Sequence, residues 1–167
     1  LKPTSLADLS AMVALFRPGP MSEIPRYIKG KHGQIPVTYL HSALEPILKP
    51  TYGVIVYQDQ VLFIAGAIAG YTLGAADILR RAMGKKKKEE MAKERENFIA
   101  GAVKNGIGED VAGQIFDLIQ PFAGYAFNAA HAACYAMVAY QTAYLKANYP
   151  VEYMCAVLQS AMGNMDK

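Results

Sequence analysis

Apolar residues recur at helical spacing along most of the chain, and residues that end helices interrupt them repeatedly. Ser5 is placed to cap a helix that ends at Leu15, because the following Arg17-Pro18-Gly19-Pro20 cannot continue one. Residues 20–41 are rich in proline and glycine, which predicts a long loop with one short helical turn near Glu23.

Residues 42–57 combine a short helix with a β-branched run. Ser42-Ala43-Leu44-Glu45 has the capping-box pattern of a helix start, and Pro50 is expected to end that helix. Residues 51–57 concentrate β-branched and aromatic side chains, which favours a short strand. The first part of the chain, residues 1–50, is therefore expected to be rich in loops.

From residue 57 onward, helix is predicted to follow helix. Each predicted helix is bounded by a capping residue, a glycine or a proline, and they cover residues 58–69, 73–83, 87–104, 109 to about 120, 128 to just before Pro150, and 150 onward. The pattern predicts a mainly α, compact multi-helix domain of about six to eight helices, with at most one short strand or hairpin near residues 52–57. Residues 1–167 are expected to form a single domain, with its helical core over residues 57–167.

The composition indicates a buried core and excludes a disordered chain. Of the 167 residues, 53% are apolar and 19% charged, with a formal net charge of only +3. Residues 60–76 and 118–145 approach the length of a membrane span, but alanine, glycine and polar interruptions argue against insertion. We expect no membrane association and no signal peptide. Because the chain begins at Leu1 without a start methionine, it is interpreted as a piece of a longer protein.

The strongest charge feature is a basic cluster, Arg80-Arg81-Ala82-Met83-Gly84-Lys85-Lys86-Lys87-Lys88. One interpretation of this cluster is a solvated helix C-terminus, where cations complement the helix dipole. However, adjacent Arg80 and Arg81 point about 100° apart on a helix and cannot share one solvent-facing stripe. Arginine guanidinium groups, which donate two parallel hydrogen bonds, and lysine ammonium charges can together bind a polyphosphate. The cluster therefore predicts phosphate or nucleic-acid binding.

A second feature is Gly124-Tyr125-Ala126-Phe127-Asn128-Ala129-Ala130-His131-Ala132, at the start of the long helix. Asn128 is well placed as a helix N-cap, and capping alone is one explanation of it. His131 lies three residues on, on the same helix face, and a lone histidine beside a tyrosine is often an ordinary core or surface residue. A helix N-terminus with Asn128 and His131 is nevertheless suited to anionic oxygens.

Several classes of site are excluded by spacing. The histidines and cysteines show no metal-ligand pattern, and neither phosphate loop motif nor nucleophile turn occurs. No close pair of carboxylates lies in an apolar setting where two divalent ions could bind. We therefore expect no catalytic residue and no metal site in this chain.

Five long motifs, taken together, resemble one protein family. They are ALFRPGPM (residues 14–21), TYGVIVYQDQV (51–61), AGYTLGAADILRRAMGKKK (69–87), FAGYAFNAAHAACYA (122–136) and YQTAYLKANYPVEYM (140–154). In this order they resemble the fingers region of the bacterial C-family replicative polymerases, the DNA polymerase III α subunits. The resemblance covers essentially the whole chain, and it is far more specific than any single motif above.

The resemblance implies a helical fingers domain that closes over the incoming deoxynucleoside triphosphate and the templating base. It implies a parent DNA-directed DNA polymerase that transfers nucleotidyl groups through two Mg²⁺ ions, held by palm aspartates outside this chain. The segment alone is therefore expected to be inactive. On this interpretation Arg80 and Arg81 contact the triphosphate, Lys85 and Lys86 neutralise nearby phosphates, and Asn128 and His131 face the nucleotide.

The resemblance also implies further contacts and partners. Arg17, Tyr57, Gln58 and Lys87 belong to the matched motifs and are candidate contacts to DNA or nucleotide. The implied partners are template–primer DNA and deoxynucleoside triphosphates, together with a sliding clamp, a proofreading exonuclease and clamp-loader subunits. The implied location is the bacterial cytoplasm.

The chain departs from the family pattern at a few positions. The family usually has Phe-Asn-Lys-Ser-His where this chain has Phe127-Asn128-Ala129-Ala130-His131, so a lysine and a hydroxyl are absent beside the histidine. The family also commonly has glycine at the position of Ala126 and glutamate at that of Asp59.

Two other interpretations stay open from the residues. One is a free-standing helical nucleic-acid-binding module, which should carry a basic stripe along an exposed helix. The other is an apolar helical interaction domain, which is favoured if the face with Gly66, Gly70 and Gly74 is exposed.

Overall fold

The computed structural model of the chain describes residues 1–85, 88–123 and 126–162. Within these ranges the fold is built from nine α-helices: α1 (Leu6–Leu15), α2 (Ile24–Lys31), α3 (Glu45–Leu48), α4 (Gln58–Ala69), α5 (Leu73–Lys85), α6 (Lys88–Lys104), α7 (Glu109–Ala123), α8 (Ala129–Asn148) and α9 (Pro150–Ala161). Short 3-10 turns cover Pro20–Glu23, Ser42–Leu44 and Lys49–Thr51. The predicted mainly α fold is confirmed.

The capping residues set most helix boundaries as expected. The Ser5 hydroxyl accepts from the Asp8 amide at 3.3 Å, and the Asp8 carboxylate accepts from the Ser5 amide at 3.1 Å, which closes a capping box on α1. The Asn128 side chain accepts from the His131 amide at 2.9 Å and caps α8. Helix α4 runs over the predicted residues and ends at Gly70, whose φ of 71° suits a glycine.

Two local predictions in the first fifty residues are wrong. The expected loop over residues 20–41 contains the two-turn helix α2, because Pro25 lies in its first turn, where a proline starts a helix without breaking it. The expected capping box at Ser42 is replaced by His41, whose side chain accepts from the Ala43 amide at 3.2 Å.

The strand expected over residues 51–57 is also not formed. Thr51 ends a 3-10 turn and Tyr52 and Gly53 have positive φ, so only residues 54–57 are extended. Among the residues that the structure describes, the one β pairing of this segment is a parallel bridge between Tyr57 and Phe127. Its β-branched side chains are buried on two sides: Ile55 packs into the large core, while Val54 and Val56 pack into a second cluster. Burial in an extended conformation, without a neighbouring strand, therefore explains the β-branched run.

The large core lies between α4, α5, α6 and α7. Phe98 on α6 and Phe116 on α7 are buried against each other with ring centroids 5.5 Å apart. Helix α6 approaches the end of α4 so closely at Gly101 that a Cβ there would collide with the Ala69 carbonyl. This core explains most of the apolar content of the middle of the chain.

The second cluster joins α1 to the start of α8. Ala11, Ala14 and Leu15 of α1 pack against Ala132 of α8, and α1 lies along α8. The remainder of α8 and all of α9 project from this contact: in α8 only Ala132 and Ala136 are buried, and in α9 no residue is.

Within the described ranges, no single helix has the length and apolar character to cross a bilayer, and α4 with the first part of α5 meets that test only as a pair bent by 116°.

Candidate functional site

Backbone pairing fixes the start of α8 against the start of α4. The Phe127 amide donates to the Val56 carbonyl at 3.1 Å, and the Gln58 amide donates to the Phe127 carbonyl at 2.9 Å. Both backbone groups of Phe127, the amide and the carbonyl, are therefore hydrogen-bonded to the segment that leads into α4. We call this meeting point, formed by Arg17, Tyr57, Gln58 and residues 127–131, the junction.

Aromatic and cationic side chains line the junction. The guanidinium carbon of Arg17 lies 4.4 Å from the centroid of the Phe127 ring, a distance at which a cation is attracted to the ring face. The Phe127 and His131 ring centroids are 5.4 Å apart, and those of His131 and Tyr135 are 4.6 Å apart. His131 and Tyr135 are exposed, so this row of rings is open to a ligand.

The junction also presents the N-terminus of α8. Asn128 caps the helix through the His131 amide, and the amides of the first helical turn precede the first intrahelical hydrogen bonds. Such a terminus attracts anionic oxygens. Burial raises the pKa of Tyr57 to about 12. The junction therefore offers a cation, a row of tilted and edge-to-face aromatic rings and a positively polarised helix end.

A second group of candidate residues lies on α5 around Asp77. Arg80 donates to Asp77 Oδ1 through Nη2 at 2.8 Å and through Nε at 3.1 Å, and Arg81 Nη2 lies 2.8 Å from Asp77 Oδ2. The Arg80 side chain is 21% exposed and that of Arg81 69% exposed. The hydrogen bond from Arg80 lowers the pKa of Asp77, so the carboxylate stays ionised and holds both guanidiniums.

The structure describes less of the lysines in the basic cluster than of its arginines. Lys85 is the last residue of α5, and its side chain is not described. Lys86 and Lys87 lie outside the described residues. The structure thus brings Arg17, Tyr57, Gln58, Asn128 and His131 together at the junction, while Arg80 and Arg81 form a separate pair on α5.

Sequence reasoning missed two residues of these groups. Asp77 stands three and four positions before the two arginines, and this helical spacing could have identified it as their partner. Phe127 belonged to a quoted motif, but no local pattern indicated that it pairs with residues 56 and 58 or lies beneath Arg17.

The described side chains favour an anion over a metal ion. Among them, no group of three or more His, Cys, Asp or Glu residues could hold a metal. Asp8, Asp77 and Asp117 are each paired with a lysine or arginine, which reduces their availability as ligands. The fold and its two groups of residues therefore define a helical domain that carries cations, aromatic rings and a helix N-terminus at these positions.

Comparison with known proteins identifies the family. Residues 1–106 match the family described as the bacterial DNA polymerase III alpha subunit finger domain. Over its whole length the chain is 56% identical to DNA polymerase III subunit alpha of Pseudomonas aeruginosa, 57% to that of Rickettsia prowazekii and 53% to that of Escherichia coli K12. It spans 14–15% of the length of these relatives. The chain belongs to the bacterial DNA polymerase III alpha subunit family, whose members function in DNA replication.

The other two interpretations lose support. Family membership argues against a free-standing module. Gly70 and Gly74 are exposed and Gly66 is half-buried, but the three glycines do not share one helix face, because Gly66 lies in α4, Gly70 ends it, and Gly74 lies in α5, which is bent by 116° against α4. A Cβ at Gly74 would have open space.

Proposed function

We propose that this chain binds the incoming deoxynucleoside triphosphate and template–primer DNA as the fingers of a replicative DNA polymerase. The junction is the observation that carries this proposal. There a row of aromatic rings and a helix N-terminus at the start of α8 lie beside the cation of Arg17. Backbone hydrogen bonds join Phe127 to residues 56 and 58, and Arg17 contacts the Phe127 ring through its side chain. A nucleotide needs a stacking surface for its base and positive potential for its phosphates, and the junction supplies both.

Arg80 and Arg81 are assigned to the triphosphate. Asp77 holds the two guanidiniums side by side, and Arg81 is largely exposed. A triphosphate carries more negative charge than one carboxylate, so it can replace Asp77 as the partner of Arg81. Phosphoryl-transfer chemistry depends mainly on positioning and charge neutralisation, and these are the contributions that such arginines make.

The remaining steps belong to the longer enzyme. Nucleotidyl transfer is assigned to a palm domain outside this chain. Aspartates of the palm would bind Mg²⁺, which supplies Lewis-acid chemistry. This chain alone is therefore expected to extend no primer. The side chains described here do not fit that metal site, so their role is to bind and orient the nucleotide. We propose that the whole enzyme works in the bacterial cytoplasm, with a sliding clamp, a proofreading exonuclease and clamp-loader subunits as its partners.

The proposal is tested with His131→Ala in the full polymerase. The change removes the ring between Phe127 and Tyr135 and leaves the Asn128 cap in place, because the cap uses the His131 backbone. We expect the KM for the incoming nucleotide to rise roughly tenfold, as for the loss of one good stacking contact. Single-nucleotide incorporation kinetics on a primed template measure it.

The matched control is His32→Ala. His32 is also exposed, and it lies at the end of α2, with its ring nitrogen 3.0 Å from the Leu1 carbonyl oxygen. This variant should keep the wild-type KM. A wild-type KM in His131→Ala, or an equal rise in both variants, would overturn the proposed nucleotide site.

A further inference from the structure

Gln60 is a buried residue whose amide makes four hydrogen bonds. It is 7% exposed and lies in the first turn of α4. Its Oε1 accepts from the amides of Val56 at 2.8 Å and Tyr57 at 3.0 Å. Its Nε2 donates to the Ile47 carbonyl at 3.2 Å and to the Thr51 hydroxyl at 2.8 Å. Both ends of the side chain are thus engaged, one by the extended segment and the other by the turns before it.

The Gln60 side chain takes the place of a neighbouring strand. Residues 54–57 are extended, with 54–56 buried and Tyr57 half-buried, and a buried amide without a partner costs about 1–3 kcal/mol. A glutamine has one oxygen with two lone pairs and one NH₂ with two donors, which matches this set of four bonds. Gln60 therefore fixes the backbone of Val56 and Tyr57 relative to α4.

This backbone is the part of the molecule that holds the junction. The Val56 carbonyl accepts from the Phe127 amide, and the Gln58 amide donates to the Phe127 carbonyl. Phe127 in turn contacts Arg17 and His131 and directly precedes the Asn128 cap. A shift of Val56 and Tyr57 is therefore transmitted to every ligand-facing group of the junction.

We infer that Gln60 is a positioning residue that sets the nucleotide affinity of the junction through residues 56–57 and Phe127, without touching the nucleotide. The inference rests on the proposed function of the junction. A misplacement of about 1 Å at a binding site is enough to reduce productive binding strongly.

The test compares Gln60→Met with Gln60→Glu in the full polymerase. Methionine fills a similar volume but loses all four hydrogen bonds, whereas glutamate keeps oxygen acceptors for the Val56 and Tyr57 amides. We expect Gln60→Met to raise the KM for nucleotide roughly tenfold with a smaller change in kcat, and Gln60→Glu to remain within roughly twofold of wild type. Both variants are expected to lose thermal stability.

Asn105→Ala is the matched control for a purely structural loss. The Asn105 side chain donates to the Ile68 carbonyl at 3.0 Å and joins the end of α6 to α4, away from the junction. It should lower the thermal midpoint and leave the KM unchanged. An equal rise in KM in Gln60→Met, Gln60→Glu and Asn105→Ala would show a general effect of instability and overturn the inference, as would a wild-type KM in Gln60→Met.

Thr51→Val carries the test if Gln60→Met does not fold. It removes the hydroxyl that accepts one Nε2 bond and that itself donates to the Val54 carbonyl at 2.6 Å, while the junction residues are unchanged, so the expected rise in KM is roughly twofold to threefold. An unchanged KM in that variant would contradict the positioning role. His131→Ala separates the two proposals: if it raises the KM and the Gln60 variants do not, only the inference about Gln60 fails, whereas a wild-type KM in His131→Ala removes the proposed site itself.

Discussion

Asp8 and Asp77 both pair with cations, but their surroundings are opposite. Asp8 is 2% exposed and accepts from Lys31 Nζ at 2.6 Å, where α1 meets α2. The Asp77 side chain is 32% exposed and accepts from Arg80 and Arg81 on its own helix. The first pair joins helix α1 to helix α2, and the second restrains two side chains at a surface.

The two pairs have different roles: the Asp8–Lys31 pair stabilises the fold, whereas the pairs of Asp77 with Arg80 and Arg81 can rearrange when a ligand binds. A buried ion pair cannot lose one partner without leaving a charge in an apolar setting, so it fixes the fold. An exposed ion pair contributes little to stability and can exchange a carboxylate for a ligand phosphate. We therefore expect changes at Asp8 to act on stability, and changes around Asp77 to act on nucleotide binding.

The largest expected effect is that of Asp8→Asn. This variant leaves the Lys31 ammonium buried without its counterion and should lower the free energy of local unfolding of α1 and α2 by about 3 kcal/mol. Hydrogen exchange of the α1 and α2 amides in the full polymerase measures the loss. Asp77→Asn is the comparison and should leave the exchange of α5 unchanged; equal losses in the two variants would contradict the distinction.

The Arg81→Ala variant should have the next largest effect, on nucleotide binding alone. Arg81 is assigned to the triphosphate and is mostly exposed, so we expect kcat/KM for nucleotide incorporation to fall roughly thirtyfold, as for the loss of a charge-assisted contact. Arg26→Ala is the matched control, because Arg26 is also exposed and paired with a carboxylate, Glu23, at 3.9 Å. Wild-type incorporation by Arg81→Ala would exclude the assigned contact.

Acid should weaken the Asp8 pair in the wild-type protein. Burial raises the pKa of Asp8, but the hydrogen bonds from Lys31, Thr4 and Ser5 lower it overall, from 3.8 to about 2. Because the folded-state pKa is depressed, the stabilisation is present above about pH 4 and is lost as the pH falls toward 2. The difference between the urea midpoints of the wild type and Asp8→Asn should therefore be smaller at pH 3 than at pH 5. A constant difference would show that the carboxylate charge is not responsible.

The smallest effect is expected for Asp77→Asn on nucleotide affinity. Asparagine keeps an oxygen acceptor for Arg80 but removes a negative charge beside the proposed triphosphate position. The KM for nucleotide should therefore fall roughly twofold at low salt and approach the wild-type value at high salt. Steady-state kinetics at two ionic strengths measure this change, and a rise in KM at low salt would mean that the charge of Asp77 is needed to orient the arginines.

The sequence predicts the helices well because their boundaries depend on neighbouring residues. Ser5, Gly70 and Asn128 act through bonds to residues a few positions away, so their types and spacing suffice. Helix α2 is not predicted because the proline and glycine content of residues 20–41 favours a loop, whereas Pro25 lies in the first turn of a helix, where proline is favourable. The β-branched run at residues 51–57 favours a strand, but in the structure its side chains are buried without a neighbouring strand, since the same side chains suit both environments.

The candidate site was predictable only where its contacts are local. The partnership of Asp77 with Arg80 and Arg81 follows from helical spacing. The bonds of Phe127 to residues 56 and 58 join distant parts of the chain, and no local pattern indicates them. The same is true of the buried pair of Asp8 with Lys31. The resemblance identified the candidate residues through the motifs of one family. It could not show that some of them lie at the junction and others around Asp77 on α5.

Nucleotide binding at the junction is tested most directly by hydrogen exchange in the full polymerase bound to primed template. The amides of residues 129–131 at the start of α8 and those of residues 80–82 on α5 are followed with and without the correct incoming nucleotide. The account predicts slower exchange at both places only when the nucleotide is present. Unchanged exchange at residues 129–131, under conditions in which incorporation shows that the nucleotide is bound, would contradict it.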